Sequence, residues 1–229
     1  KLLFSISIIL FFFAGYFLYN VIHKRILEFN ELTINVNSFR FYAFIFLLVV
    51  LQFIKWFFEA LKFKLLISVE KKISIKTSLK SVYVGNFTAF ITPDRLGTFI
   101  GRIIVLKNVE KLKITALTAV GNLGQLIATI TFGLLSLIYI NLMEHPFTGL
   151  NQTFLEVLLF VFIIILFLLI SIYIKPVLVF NRLEKVKYIR NYILRLSSLK
   201  SLKGSLKFKV LIFSIMRFLV FYLQYFMII

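Results

Sequence analysis

Five stretches of this chain, 2–19, 41–58, 114–140, 153–174 and 210–229, are nearly unbroken runs of apolar residues. A bilayer core of ~30 Å takes about 20 helical residues, so each run approaches the length of a membrane-spanning helix. Lipid offers nothing to backbone N–H and C=O groups, and a helix satisfies them within the segment. The chain is therefore read as an all-α integral membrane protein, a polytopic helical bundle of about five spanning helices in one membrane domain, 1–229. The composition agrees: 61% of the 229 residues are hydrophobic, and the mean hydropathy is +0.98. The longest connection, 175–209, is too short for a soluble domain.

The first run is longer than the apolar core of a signal peptide, and no small-residue cleavage site follows it, so it is read as a retained span. The last run stops without a polar flank, and the chain is expected to be truncated there. Cysteine is absent, which removes thiolate metal sites and disulfides. His23 and His145 lie far apart without ligand spacing, so neither a metal nor a cofactor is expected. The net charge is +18. Its bases fall in loops between apolar runs, the pattern of a protein facing anionic lipid; nucleic acid is not the expected partner.

A sixth run, 82–106, decides the topology, because it contains Pro93, Asp94, Arg95 and Arg102. Segment 55–81 holds seven bases, 102–113 four, 175–209 ten, 20–40 three and 141–152 none. A full crossing by 82–106 would put the ten-base segment outside and the base-free one inside, inverting the positive-inside rule. A re-entrant helical hairpin puts the N-terminus, 55–81, 102–113 and 175–209 in the cytoplasm, with 20–40 and 141–152 outside. Arms over 82–91 and 93–102 would each reach ~15 Å, half the core. The break falls at Thr92-Pro93, since proline disfavours helix before it and suits the first position of a new one. Thr92 is the expected N-cap of the second arm, and Asp94 and Gly97 complete the hinge.

Arg95, Thr98 and Arg102 follow at helical spacing and share a face. A deep arginine is costly unless paired or hydrated, and its planar fork suits phosphate. Against this, Asp94 would pair with Arg95 while Arg102 snorkels to the interface. Thr118, Asn122, Gln125, Thr129, Gly133 and Ser136 line one face of the next helix; helix packing, aided by Gly124 and Ala128, and a cavity lining are both open readings. Arg217 and Gln224 lie seven apart on one face of the last run, with Arg217 too deep for an easy exit. Lys55 and Glu59, beside Trp56, read as an i,i+4 pair anchoring a helix end at the interface. Val186, Ile189, Ile193 and Leu196 give the basic segment 182–203 the pattern of an amphipathic helix on the anionic leaflet, or of a docking site for a partner protein. Glu156 pairs with a base or serves proton coupling; its position leaves both open.

"GNFTAFITPDRLGTFIGRIIVLK" followed by "ALTAVGNLGQLIATITFGLLSL" resembles the signature of the lysylphosphatidylglycerol synthase transmembrane-region family, the flippase-like membrane domain also found at the N-terminus of the multiple peptide resistance factor. Asn86, Pro93, Arg95, Gly97, Arg102, Gln125, Thr129 and Gly133 match its pattern, and Ser214, Arg217 and Gln224 resemble its later S-x-x-R…Q helix. Thr98 stands where the family usually has a carboxylate, so this chain has either lost that charge or found a substitute in Asp94. The resemblance implies a bacterial inner-membrane lipid translocase, not an enzyme, since aminoacyl transfer in the synthases belongs to a separate soluble domain. It implies anionic phospholipid or polyprenyl-phosphate-linked headgroups as cargo. Taken with the polar faces above, the candidate headgroup-binding residues are Arg95, Arg102, Arg217, Asn86, Thr98, Asn122, Gln125 and Gln224. The alternative is a non-catalytic scaffold for an envelope-biosynthesis enzyme, or a homo-oligomer; a membrane-embedded transferase is disfavoured because no carboxylates or metal ligands cluster.

Overall fold

A computed structural model describes residues 39–92, 96–142, 152–174 and 202–228. Six helices occur among them: α1 Phe39–Ile67, α2 Ile75–Ile91, α3 Gly97–Val105, α4 Lys111–Leu142, α5 Gln152–Ile174 and α6 Gly204–Ile228. Four of these, Phe41–Ile67 within α1 and the whole of α4, α5 and α6, are long and apolar enough to cross a membrane. They correspond to four of the five expected runs. The fifth, 2–19, lies outside the described residues, as do 20–38 and most of 175–209, including the amphipathic segment. Chain contacts divide the protein into two units, Lys1–Leu47 and Leu48–Ile229. The described part of the first is the opening of α1, where Phe41 and Tyr42 meet edge to face. The second holds the rest of α1 and the other five helices.

α1 runs nine residues past the expected end at 58, because no glycine or proline interrupts it and Lys62 and Lys64 are tolerated within it. It closes in a turn where the N–H groups of Glu70 and Lys71 bond to Ile67 O at 3.0 and 2.8 Å. Ser74 then caps α2: its backbone is extended and its Oγ accepts the Thr77 N–H at 3.1 Å. This cap moves the start of the hairpin's first arm from the expected 82 to Ile75. That arm has 17 residues and the second 9, or ~25 and ~14 Å of helix.

The arms part where the sequence puts the break. Thr92 is extended (φ −106°, ψ 142°), as sterics before a proline demand. Its hydroxyl accepts the Gly97 N–H at 2.7 Å and donates to Thr88 O at 2.9 Å. The expected N-cap role of Thr92 is thus corrected: Thr92 is the C-cap of α2 and Leu96 the N-cap of α3, which begins at Gly97 and not at 93, although the Thr92 hydroxyl still accepts a first-turn N–H of the second arm. Pro93, Asp94 and Arg95 lie outside the described residues.

The two arms lie antiparallel at very short range. Thr88 Oγ1 is 2.5 Å from Gly97 O, and an added Cβ on Gly101 would fall 2.6 Å from the N and Cα of Gly85. Gly97-x-x-x-Gly101 is a small-residue pair that lets backbones touch. The arms return to their starting point. Residues 71–74 and Thr77 line one cleft of ~490 Å³ together with 105–109, and Lys113 Nζ bonds Glu70 Oε2 at 2.8 Å across the same end.

The buried core sits at that end too. Phe63, Leu66 and Ile67 from the end of α1 meet Ile114 and Leu117 from the start of α4, Tyr173 from the end of α5, and Leu202 and Val210 around the start of α6. Tyr173 OH donates to Lys207 O at 2.9 Å. Gly124 on α4 is buried where α6 crosses, with Ser214 Oγ 3.2 Å from the place of a Cβ. Within the second unit, the halves of α4, α5 and α6 away from this end are largely exposed apolar side chains, a surface suited to lipid.

Candidate functional site: one carboxylate among three cations

Glu59 lies eight residues before the end of α1, ~12 Å along the helix axis. At that depth a carboxylate needs partners, and three cations supply them. Lys62 Nζ, one turn on, is 2.6 Å from Oε2. Arg102 Nη2, from the hairpin's second arm, is 2.7 Å from Oε1. Arg217 Nη1, from α6, is 2.6 Å from Oε2. The carboxylate therefore ties three helices together.

Local chemistry holds each cation in place. Lys62 also donates to Gly121 O at 3.3 Å, an approach that the bare backbone of Gly121 leaves open. The Arg102 guanidinium carbon lies 4.5 Å from the centre of the Phe63 ring, a cation–π contact. Its Nη1 is 3.4 Å from Thr118 Oγ1, at the weak limit of a hydrogen bond. Its buried Nε–H meets no acceptor among the described residues.

Three positive charges face one negative charge. The side chains of Glu59, Lys62 and Arg102 are no more than 4% exposed, and that of Arg217 is 24% exposed. Removing one partner of a buried ion pair typically costs ~3–5 kcal/mol. The surplus cations represent an unmet demand for an anion.

Farther along the α1–α6 seam lies a second polar contact. Lys55 Nζ donates to Gln224 Oε1 at 3.0 Å and sits 5.5 Å from the centre of the Phe221 ring. Gln224 Nε2 donates to Leu48 O at 3.0 Å. The expected interfacial pair of Lys55 with Glu59 is thus corrected: Glu59 is an interior residue, and Lys55 reaches across to α6. Trp56 stacks edge-on against Tyr83 of α2 with centroids 5.1 Å apart, docking the hairpin on α1.

Among the headgroup residues named from the sequence, Arg102 and Arg217 come together on Glu59, and Gln224 lies on the same seam. Arg102 does not snorkel; it is buried. The polar face of α4 divides. Thr118 is buried against Arg102, whereas Asn122, Thr129 and Ser136 are exposed. Gln125 is half-buried, and its Oε1 has no hydrogen-bond partner among the described residues. Asn86 is half-buried on α2. Thr98 belongs to the hairpin seam, its carbonyl 3.1 Å from the place of a Cβ on Gly85. The carboxylate that faces Arg102 is Glu59, on another helix. Sequence reasoning left Glu59 and Lys62 out of the site, yet a signal was there: Glu59 is the one acid within α1, and Lys62 shares its face.

No curated protein and no solved structure matches the chain. The family described as the lysylphosphatidylglycerol synthase TM region matches residues 1–229. Its match over the whole length agrees with the four apolar helices and the all-helical fold of an integral membrane protein. The chain belongs to the lysylphosphatidylglycerol synthase transmembrane-region family.

Proposed function

We propose that this protein moves anionic lipids across the bacterial inner membrane, taking a phosphate-bearing headgroup at the Glu59 cluster while the acyl chains stay in the bilayer. The family supports a membrane-lipid role. The observation that carries the finer reading is the surplus of cations around Glu59. Buried arginines bind phosphate through paired, charge-assisted hydrogen bonds. Their cost in lipid is justified by function more often than by packing.

The orientation follows from charge. The cleft end of the bundle carries Lys71, Lys72, Lys107, Lys111 and Lys113, so the positive-inside rule turns it to the cytoplasm. The hairpin α2–α3 then enters from the cytoplasmic face and returns to it. Its non-helical bend is tolerated at depth where protein or a watery cavity surrounds it.

Proteoliposomes carrying fluorescent phosphatidylglycerol test this reading. Arg102→Gln and Arg217→Gln are each expected to slow headgroup movement at least about tenfold, as loss of one charge-assisted contact of ~1.5–3 kcal/mol implies. Rates equal to wild type in both folded variants would sink it.

A further inference from the structure

The geometry of the cluster carries one step more, which rests on the headgroup reading above. Glu59 is the single anion shared by three cations. Its Oε2 accepts from both Lys62 and Arg217 at 2.6 Å, while Oε1 takes Arg102 at 2.7 Å. Arg102 keeps a buried Nε–H without an acceptor among the described residues and a long contact to Thr118. Three donors fit within the roughly four lone-pair positions of one carboxylate, but its single negative charge leaves two of the three positive charges unbalanced. Among these cations Arg217 is the accessible one, so an anion reaches the cluster from its side, along the α1–α6 seam.

A carboxylate and a phosphodiester share a decisive feature: each presents two equivalent anionic oxygens to a forked donor. We infer that Glu59 is a built-in stand-in for the phosphate. With no headgroup bound, its carboxylate occupies the place between Arg102 and Arg217 and closes α1 against α6. A phosphate arriving at Arg217 takes that guanidinium from Oε2 and supplies an acceptor to Arg102 Nε. Glu59 keeps Lys62, its neighbour on α1. The seam opens when the arginine changes anions and closes when the carboxylate reclaims it. Glu59 therefore weakens binding and enables release, the role of a competitor and not of a plain structural counter-ion.

The two roles predict opposite effects of Glu59→Gln. Affinity for phosphatidylglycerol in nanodiscs, against a phosphatidylcholine background, is expected to rise about tenfold while transport turnover falls by a similar factor. Binding unchanged or weaker in folded Glu59→Gln would overturn the exchange.

If that variant does not fold, the wild-type seam answers instead. The chain has no cysteine, and the rings of Phe58 and Phe213 face each other across α1 and α6 with centroids 6.3 Å apart. The pair Phe58→Cys and Phe213→Cys is expected to be bridged quickly by a short bismaleimide in phosphatidylcholine and several-fold more slowly with phosphatidylglycerol. Equal rates in the two lipids would overturn the proposal. Slowing by inorganic phosphate alone, in uncharged detergent, would support the exchange and assign it to a free anion, against the lipid reading. A wild-type protein that binds phosphatidylglycerol but shows neither effect leaves headgroup handling intact and removes the exchange alone.

Discussion

Replacing Gly101 by alanine presses on the point where the hairpin's arms touch. The new Cβ would lie 2.6 Å from the N and Cα of Gly85 and 2.6 Å from Thr88 Oγ1. Carbon atoms settle about 3.5–4.0 Å apart, so the arms have to separate by roughly 1 Å, and backbone cannot rotate aside as a side chain does. Overpacking of this kind costs ~1–3 kcal/mol. The separation also strains the Thr88 hydrogen bond to Gly97 O, another ~0.5–1.5 kcal/mol. Alanine's better helix propensity returns at most ~1 kcal/mol. The net loss is about 1–3 kcal/mol, or roughly 3–10 °C in melting midpoint for a protein of this size. Arg102 is the next residue, so its 2.7 Å bond to Glu59 lengthens with the same movement and transport falls too. Circular dichroism melts in detergent measure the first effect, with Gly133→Ala as the control. A Cβ at Gly133 meets only Phe162 at 3.9 Å, an ordinary contact, so this variant should melt at or above wild type. Gly101→Ala melting level with wild type would refute the claim that the arms are held in backbone contact.

Two further outcomes are accessible by simple measurements. Single cysteines replacing Lys72 and Asn108 are expected to label from the cytoplasmic side, and one replacing Leu142 from outside; labelling of 72 and 108 from opposite sides would contradict the returning hairpin. Tyr173→Phe removes the hydroxyl that bonds Lys207 O at 2.9 Å. It should cost ~0.5–1.5 kcal/mol, a fall of a few degrees that leaves headgroup transport near wild type.

The long helices and the hairpin's hinge were legible because each rests on local physics: apolar length for the spans, and the sterics of Thr92 before Pro93 for the break. The limits of the arms were less so. A polar N-cap at Ser74 and a hydroxyl–amide bond from Thr92 to Gly97 decide them, and many serines and threonines offer the same pattern without acting on it. Gly97 and Gly101 carried a packing signal that hydropathy does not weigh. The site was half legible. Arg102 and Arg217 stand out as deep charges, but their common partner is 43 and 158 residues away from them, a separation no spacing rule spans. Glu59 was misread because Lys55 and Trp56 imitate the end of a helix that in fact continues to Ile67.

The three cations of the cluster also differ in when they are made. Lys62 follows Glu59 by three residues on the same helix, so α1 enters the membrane carrying its own counter-ion. Arg102 comes 43 residues later and Arg217 158. α6 contains no acid to accompany Arg217, and a lone arginine near a span's centre costs ~2.5–3.5 kcal/mol at insertion. Its compensation is a carboxylate already seated in the bilayer. Biogenesis thus acquires a direction: the early helix is electrostatically self-sufficient, and the late one depends on it to be stably housed. Glu59→Gln is then expected to lower the yield of integrated protein, so its binding and transport are compared per molecule that has integrated.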